Sequence, residues 1–286
     1  AVFDVAADTG NTVVSIPMLN GTTIDGKTIN GKTLGEVDYK ATSPTVDKKI
    51  VEGSSLVDSN VAAIGDTITY EMTTTIPNYT GYDQGYYLAL NDTLSKGLTF
   101  GHITSVKVEG VDTEYKDNAT FYAKTDLSDV SSADIYNGGK SFSILFAPTA
   151  GTDGKQTSDI TKQADLFPVG KRITVQYTAT LNANAVIGQD NDQAGNPNKV
   201  NLTYSRNPNG TEQGTTEDHT VKTYTGAFKL HKVGPDDQAL ADAHFSVTKG
   251  NAIVTFTKNA DGTVYTVDPD GSETEVVTPA NGTVEI

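Results

Sequence analysis

The sequence predicts an all-β chain of sandwich type, and three observations carry that reading. Apolar residues alternate with polar ones at period two through most of the 286 residues. Groups of Gly, Asn, Asp and Thr punctuate the alternating segments and mark turns. Helical spacing is confined to Ser158 to Phe167, where Ser158 is placed to cap and Ile160, Ala164 and Phe167 follow in step, enough for a short crossover.

Taken from the amino terminus, the opening is Gly-rich and holds a phosphate-loop string twice over. Gly21-Thr-Thr-Ile-Asp-Gly26-Lys27-Thr28 overlaps Gly26-Lys27-Thr28-Ile-Asn-Gly31-Lys32-Thr33. A phosphate loop needs a strand before it and a helix after it, because the helix start supplies the amide donors. Val13 to Leu19 fits the strand, but Gly31 and Gly35 interrupt the stretch where the helix would have to run, so a repeat of polar turns accounts for the strings better. Residues 41–45 form a polar link to a strand starting at Val46. Ile68, Tyr70, Met72 and Ile76 share one face of the next long strand, and Phe142, Ile144 and Phe146 share one face of another. Ile173, Val175, Tyr177, Ala179 and Leu181 line one side of a strand whose other side is Thr174, Gln176, Thr178 and Thr180.

The turn from Asp190 through Asp192 to Gly195 offers oxygen ligands suited to calcium, but it lacks the distal bidentate Glu of an EF-hand loop and reads better as a solvated acidic turn. Residues 206–220, a polar, Gly-containing stretch ahead of a strand at Phe228, read as a second boundary after the link at 41–45. Asn259-Ala260-Asp261-Gly262 and Asp268-Pro269-Asp270-Gly271 read as hairpins, and Val284-Glu285-Ile286 is a last apolar strand. The predicted organisation is a short piece over 1–40, a large domain over 41–224 and a piece over 225–286 that is small for independent folding. Both ends read as cut from a longer protein.

Composition excludes several classes of function. Lys plus Arg is 21 against 36 Asp plus Glu, a formal charge of −15, which argues against nucleic acid or an anionic membrane surface as partner. No apolar run approaches the roughly 18 residues of a spanning helix. Val2-Phe3-Asp4-Val5 does not open a signal peptide. There is no cysteine, so disulfides, thiol catalysis and zinc-thiolate sites are excluded. His102, His219, His231 and His244 form no metal-spaced pair, no Gly-x-Ser-x-Gly elbow is present, and no cofactor is implied.

The informative residues are polar ones on faces that should be apolar. Lys48 falls between Val46 and Ile50; Asp92 falls in the row Tyr86, Leu88, Leu90, Leu94; Asn198 is in register with Val200, Leu202 and Tyr204. Burying such groups singly is costly, so they are expected to act together. One reading is a buried Lys48–Asp92 ion pair with Asn198 bonded alongside. The other uses the opposite protonation states, with a neutral amine and a protonated acid favoured by desolvation. The amine then attacks the Asn198 carboxamide, the acid moves protons, and ammonia leaves, joining the first and last strands of the large domain. Asp92 is preferred as the acid over Glu71, which lies on the face opposite Tyr70 and Met72.

Four blocks carry a resemblance. Pro44-Thr-Val-Asp-Lys48-Lys-Ile-Val, Ile64-Gly-Asp-Thr-Ile-Thr-Tyr70, Asn91-Asp92-Thr-Leu-Ser-Lys-Gly-Leu98-Thr-Phe and Gly195-Asn-Pro-Asn198-Lys-Val-Asn-Leu-Thr-Tyr-Ser resemble the isopeptide-forming domain of Gram-positive sortase-assembled backbone pilins. Gly226-Ala-Phe-Lys-Leu-His-Lys232-Val with Ala239 to Phe245 resembles the start of a CnaB-type Ig-like domain. The resemblance implies tandem Ig-like (CnaA/CnaB-type) β-sandwiches, a Lys48–Asn198 amide bond formed with Asp92 as proton shuttle, and Lys232 as the bond lysine of the second domain. That domain's Glu block and terminal Asn are absent from the sequence. Tyr39-Lys40 lies where shaft pilins carry Tyr-Pro-Lys, though without the Pro, so Lys40 is the candidate for sortase linkage to the next subunit, with Lys27 and Lys32 as competitors. The implied role is a subunit of a secreted, cell-wall-anchored pilus shaft that supports adhesion, with other pilin subunits as partners. The alternative is a tip or wall-anchored adhesin binding host matrix protein or glycan.

Overall fold

A computed structural model describes residues 44–111, 119–151, 155–188, 195–208 and 210–286. Fifteen strands build the larger part. β1 (Val46–Glu52) is followed by the short β2 (Ser55–Val57) and β3 (Ser59–Val61), then by β4 (Thr67–Thr75), β5 (Leu88–Leu94) and β6 (Leu98–Val108). Next come β7 (Tyr122–Lys124), β8 (Ser128–Asp129), β9 (Lys140–Phe146), β10 (Pro148–Ala150) and β11 (Gln156–Ser158). After a 3-10 turn at Ile160–Gln163, β12 (Arg172–Leu181), β13 (Asn196–Ser205), β14 (Gln213–Thr215) and β15 (His219–Tyr224) complete the set. No α-helix occurs among the described residues.

Two sheets face one another. One has the order β2-β1-β4-β12-β6; the other runs β3-β15-β13-β5-β9-β7, with β14 added to β13 and β8 to β9. The pairings are antiparallel apart from β15 with β3. Period two dictates what lies between the sheets. Ile68, Tyr70 and Met72 from β4, and Ile173 to Leu181 at every second position of β12, meet Leu88, Leu90, Phe142, Ile144, Val200 and Leu202 from the other sheet in one buried cluster. The outward faces keep their threonines, which suit a half-buried pleat.

Three expectations are corrected. The stretch 158–167 is not a helical crossover: Ser158 ends β11, where its hydroxyl bonds to Phe146 O and Leu88 O, and Asp159 caps a single 3-10 turn by accepting from Thr161 N. Ile160 and Phe167 are nonetheless buried, and Phe167 stacks on Phe121 at 4.8 Å. The polar segment 206–220 is not a boundary, because it contains β14 and the start of β15, with Val221 and Thr223 buried against β13. Asn198 therefore does not lie in the last strand of the larger part.

The carboxy-terminal residues form antiparallel pairs, Lys229–His231 with Thr283–Glu285, His244–Phe245 with Val276–Val277, and Phe256–Lys258 with Tyr265–Val267. They enclose a separate small core of Phe256, Tyr265, Val276, Val284 and Ile286. The predicted strand at Phe228 begins one residue later, leaving Phe228 55% exposed with its main chain bonded to Ile286. Asn259 closes a hairpin, its Oδ1 accepting from Thr263 N and Val264 N. The turn at 268–271 instead carries the chain across to the other side of Phe256, which bridges Glu273. Asp66 pairs with Lys249, and Val267 packs against both cores.

One glycine sets the spacing of the site-bearing sheet. A Cβ on Gly139, where β9 starts beside β5, would lie 2.0 Å from Leu94 O. Backbone cannot yield as a side-chain tip does, so Gly139→Ala is expected to destabilise by about 1–3 kcal/mol. Gly226→Ala, which meets nothing within 4 Å, serves as the control. Thermal melts of the two variants check this, and equal midpoints would refute it.

Candidate functional site

Five strands from two sheets converge on one buried polar cluster. Lys48 projects from β1 opposite Met72 of β4, and Tyr70 of β4 pairs with Tyr177 of β12. Across the sandwich, Asn198 of β13 stands opposite Leu94 of β5, and Asp92 opposite Val200. Asp92 and Asn198 are thus diagonal neighbours on one face of paired strands, within reach of each other's surroundings. Lys48, Asp92 and Asn198 are 0%, 1% and 0% exposed.

The Lys48 side-chain nitrogen bonds directly to Asp92 Oδ2 and lies 3.0 Å from the Tyr177 hydroxyl. That hydroxyl donates to Asp92 Oδ1 at 3.0 Å and accepts from Asn198 Nδ2 at 2.6 Å. Tyr177 is therefore the hub at which amine, acid and amide meet. Asn198 Oδ1, though buried, has no hydrogen-bond partner among the described residues. An unpaired buried carbonyl is costly, and it leaves this oxygen open to a donor. Asn196, two residues earlier on the same face, differs: Oδ1 accepts from Val186 N, and Nδ2 donates to Val186 O and Thr223 O.

The walls are aromatic. The Tyr70 and Tyr177 rings stack at 5.4 Å, with Lys48 Nζ at 5.2 and 5.0 Å from their centroids. Phe100 and Phe142 pack on Tyr177 from the other sides. Pairing between β12 and β6 is irregular on both sides of the Tyr177–Ile103 pair, and such bulges re-aim a side chain. Gly101 of β6 makes that close approach feasible, since a Cβ there would fall 2.5 Å from Thr178 Oγ1. At the sandwich edge, the Lys48 amide donates to His219 Nδ1, and His219 Nε2 contacts Asp47.

Burial sets the electrostatics. Desolvation pushes the Lys48 amine below its ordinary range and the Asp92 carboxyl above its own, each opposed by the attraction of the other. Desolvation sets the sign of both shifts, because neither group reaches water, and both shifts act toward the neutral forms. The Tyr177 phenol is held well above its usual range by burial, and so is Tyr70, against the opposing effect of Thr223 and Asn198 beside it.

The sequence expectations divide accordingly. Lys48, Asp92 and Asn198 come together. Glu71 lies on the outer face and accepts from Gln176 Nε2 at 2.8 Å. Lys232 is half-buried in the small carboxy-terminal part, its amide bonded to Gly282 O, without an ion pair among the described residues. Leu230 packs on the small core but exposed Phe228 does not, so the face that alternation gives Phe228, Leu230 and Lys232 is only partly covered. Lys40, with Tyr39, Lys27 and Lys32, and the Asp190–Asp192 turn lie outside the described residues. Tyr177, Tyr70 and His219 were not singled out. A buried phenol needs a hydrogen-bond partner, so the two core-facing tyrosines were the available signal.

The site is a dry amine, acid and amide shared by the two sheets of a sandwich. The family described as Gram-positive pilin backbone subunit 2, Cna-B-like domain, matches residues 64–208, and the chain belongs to that family. A curated relative, the trypsin-resistant surface T6 protein of Streptococcus pyogenes serotype M6, is 24% identical over 169 residues. That match covers 59% of the chain and 27% of the relative, so the chain spans about a quarter of that protein's length. Among solved structures, a C-terminal fragment of the major pilin GBS80 of Streptococcus agalactiae aligns with a TM-score of 0.56 at 16% identity, covering 86% of this chain and 79% of that one. The T6 backbone pilin of Streptococcus pyogenes aligns at 0.54 with 19% identity, covering 86% and 46%. The major pilin BcpA of Bacillus cereus aligns at 0.52 with 17% identity, covering 85% and 55%. These likenesses show the fold. No helix among the described residues is long and apolar enough to cross a membrane.

Protonation of the site has a measurable consequence. In Asn198→Ala the Lys48–Asp92 pair persists and holds one proton when folded; unfolded at neutral pH, Lys48 alone holds one, so the pair adds no pH slope. In Asp92→Ala the buried amine, with its lowered pKa, holds none when folded and one when unfolded. Stability of Asp92→Ala is expected to rise with pH between the lowered folded pKa and the ordinary value of 10.5, one proton steeper than Asn198→Ala. Urea titrations from about pH 6 to about pH 9 read this, and parallel pH profiles would mean that Lys48 is charged.

Proposed function

We propose that this chain is part of the shaft subunit of a sortase-assembled pilus anchored to a Gram-positive cell wall, and that the subunit is stabilised by an autocatalytic Lys48–Asn198 isopeptide bond. The observation that carries the reading is the convergence of Lys48 Nζ, Asp92 and Asn198 Nδ2 on one dry site, with Asn198 Oδ1 left without a partner. In this reading residues 41–224 are the isopeptide-forming domain, 225–286 the opening of a CnaB-type domain with Lys232 as its bond lysine, and 1–40 the end of a preceding domain with its linker.

The chemistry is set by the protonation states. A neutral Lys48 amine attacks Asn198 Cγ while the Asp92 carboxyl gives a proton to the unpartnered Oδ1; as the tetrahedral carbon collapses, Oδ1 returns that proton to Asp92, one proton passes from the attacking nitrogen to Nδ2, and Nδ2 leaves as ammonia with the electron pair of the broken bond. The tie would close a loop of about 150 residues, which by analogy with disulfide loop entropy adds about 5 kcal/mol, comparable to the stability of a small domain. Such a subunit transmits tension along a fibre that supports adhesion.

The decisive experiment is intact mass. The native chain is expected to fall short of its sequence mass by one ammonia, with a linked peptide containing Lys48 and Asn198. Lys48→Ala and Asn198→Ala restore full mass and melt at lower temperature, whereas Asn196→Ala stays linked, because its amide is already committed to main-chain partners. Full mass in the native chain refutes the bond.

Assembly is tested separately. In full-length protein expressed with its sortase, Lys40→Ala is expected to abolish the high-mass ladder of linked subunits while leaving the internal bond intact, since the two reactions use different amines. A persisting ladder would place the acceptor elsewhere and favour the adhesin reading.

A further inference from the structure

Resting on the Lys48–Asn198 reading, the proton balance of the reaction singles out a residue that Lys48, Asp92 and Asn198 do not replace. Bond formation joins Nζ to Cγ and breaks the bond from Cγ to Nδ2. Nζ enters as an amine with two hydrogens and ends as an amide with one, while Nδ2 enters with two and leaves as ammonia with three. One proton has to pass from the attacking nitrogen to the leaving nitrogen, whatever happens at the carbonyl oxygen.

The Tyr177 oxygen is hydrogen-bonded to both nitrogens, at 3.0 Å from Nζ and 2.6 Å from Nδ2. We propose that the Tyr177 phenol is the proton relay between them, a catalytic group of the cross-linking reaction alongside Asp92. In the starting amide, Nδ2 donates to the phenol, because its lone pair is delocalised into the carbonyl. Once Nζ has added to Cγ, that lone pair is free and the attacking nitrogen is cationic. The phenol oxygen then accepts a proton from Nζ as the hydroxyl gives its own to Nδ2, and ammonia departs with the electron pair of the broken bond. Tyr177 ends as it began.

Two further observations fit this role. Burial strongly disfavours the phenolate, so gain and loss must be concerted, which suits a group touching donor and acceptor at once. The ring is fixed by Tyr70, Phe100 and Phe142, so the hydroxyl is held where the two nitrogens meet. Asp92, bonded to Nζ through Oδ2 and to the phenol through Oδ1, is left to serve the carbonyl oxygen and to take up any proton that Nζ sheds early.

The test tracks the linked fraction by intact mass after a pulse of cell-free synthesis of the whole chain. With the native chain losing ammonia and Asp92→Ala not, Tyr177→Phe is expected to link roughly 100-fold more slowly, the usual worth of a positioned acid–base group. Difluorotyrosine at 177 keeps ring and hydroxyl but makes the phenol more acidic. It is expected to change the linking rate several-fold without changing the melting temperature of the linked product, a response that a purely structural tyrosine would not give. It also decides the matter if Tyr177→Phe does not fold. Native chain that keeps its ammonia removes the bond itself and this inference with it. A linked native chain with an unchanged rate in either Tyr177 variant overturns the relay alone.

Discussion

The constraint on which the structure turns is a lysine amine, a carboxyl group and a carboxamide enclosed together between two apolar sheet faces. Placed there singly, each would be strongly destabilising. Their arrangement offsets part of that cost by direct bonds among them and through the Tyr177 hydroxyl, while one carbonyl oxygen remains unpaired. The surrounding architecture serves this enclosure. The stacked rings of Tyr70 and Tyr177 flank it, the irregular pairing of β6 with β12 aims Tyr177 inward, and Gly101 and Gly139 permit close approaches that a side chain would block. Desolvation in a site this dry acts toward the neutral forms of its groups, and the neutral form is the one in which an amine is nucleophilic.

Much of this was legible in the sequence, because period two assigns faces without knowledge of pairing. Lys48, Asp92 and Asn198 stood out as polar residues in apolar rows, and all three are buried as that reading demands. Tyr177 lay in an apolar row as well, but an aromatic residue there raises no question until its hydroxyl is seen to have three partners. The strands β14 and β15, both paired with β13, escaped notice for a different reason. They are short, polar and exposed on one side, and only Val221 and Thr223 mark the buried face. The stretch after Ser158 misled because spacing fixes which residues go inward, as Ile160 and Phe167 do, but not whether one helical turn or three connect them.

The position of β15 changes how a tie between Lys48 and Asn198 would bear load. With Asn198 in the last strand, tension entering at β1 would leave the domain directly through the bond. Instead, residues 199–224 come after Asn198 and would lie outside the loop that such a tie closes. β15 runs back antiparallel along β13, with Val221 opposite Asn198 and Thr223 opposite Asn196, so force leaving at Tyr224 acts first on that pairing. His219, at the start of β15, accepts from the Lys48 amide and contacts Asp47, which anchors the strand to the main chain at Lys48. Asn196, through its bond to Thr223 O, anchors the other end. The proposed covalent tie would therefore protect the sandwich within the loop, while hydrogen bonds around Asn196 and His219 would set the force at which the domain first yields.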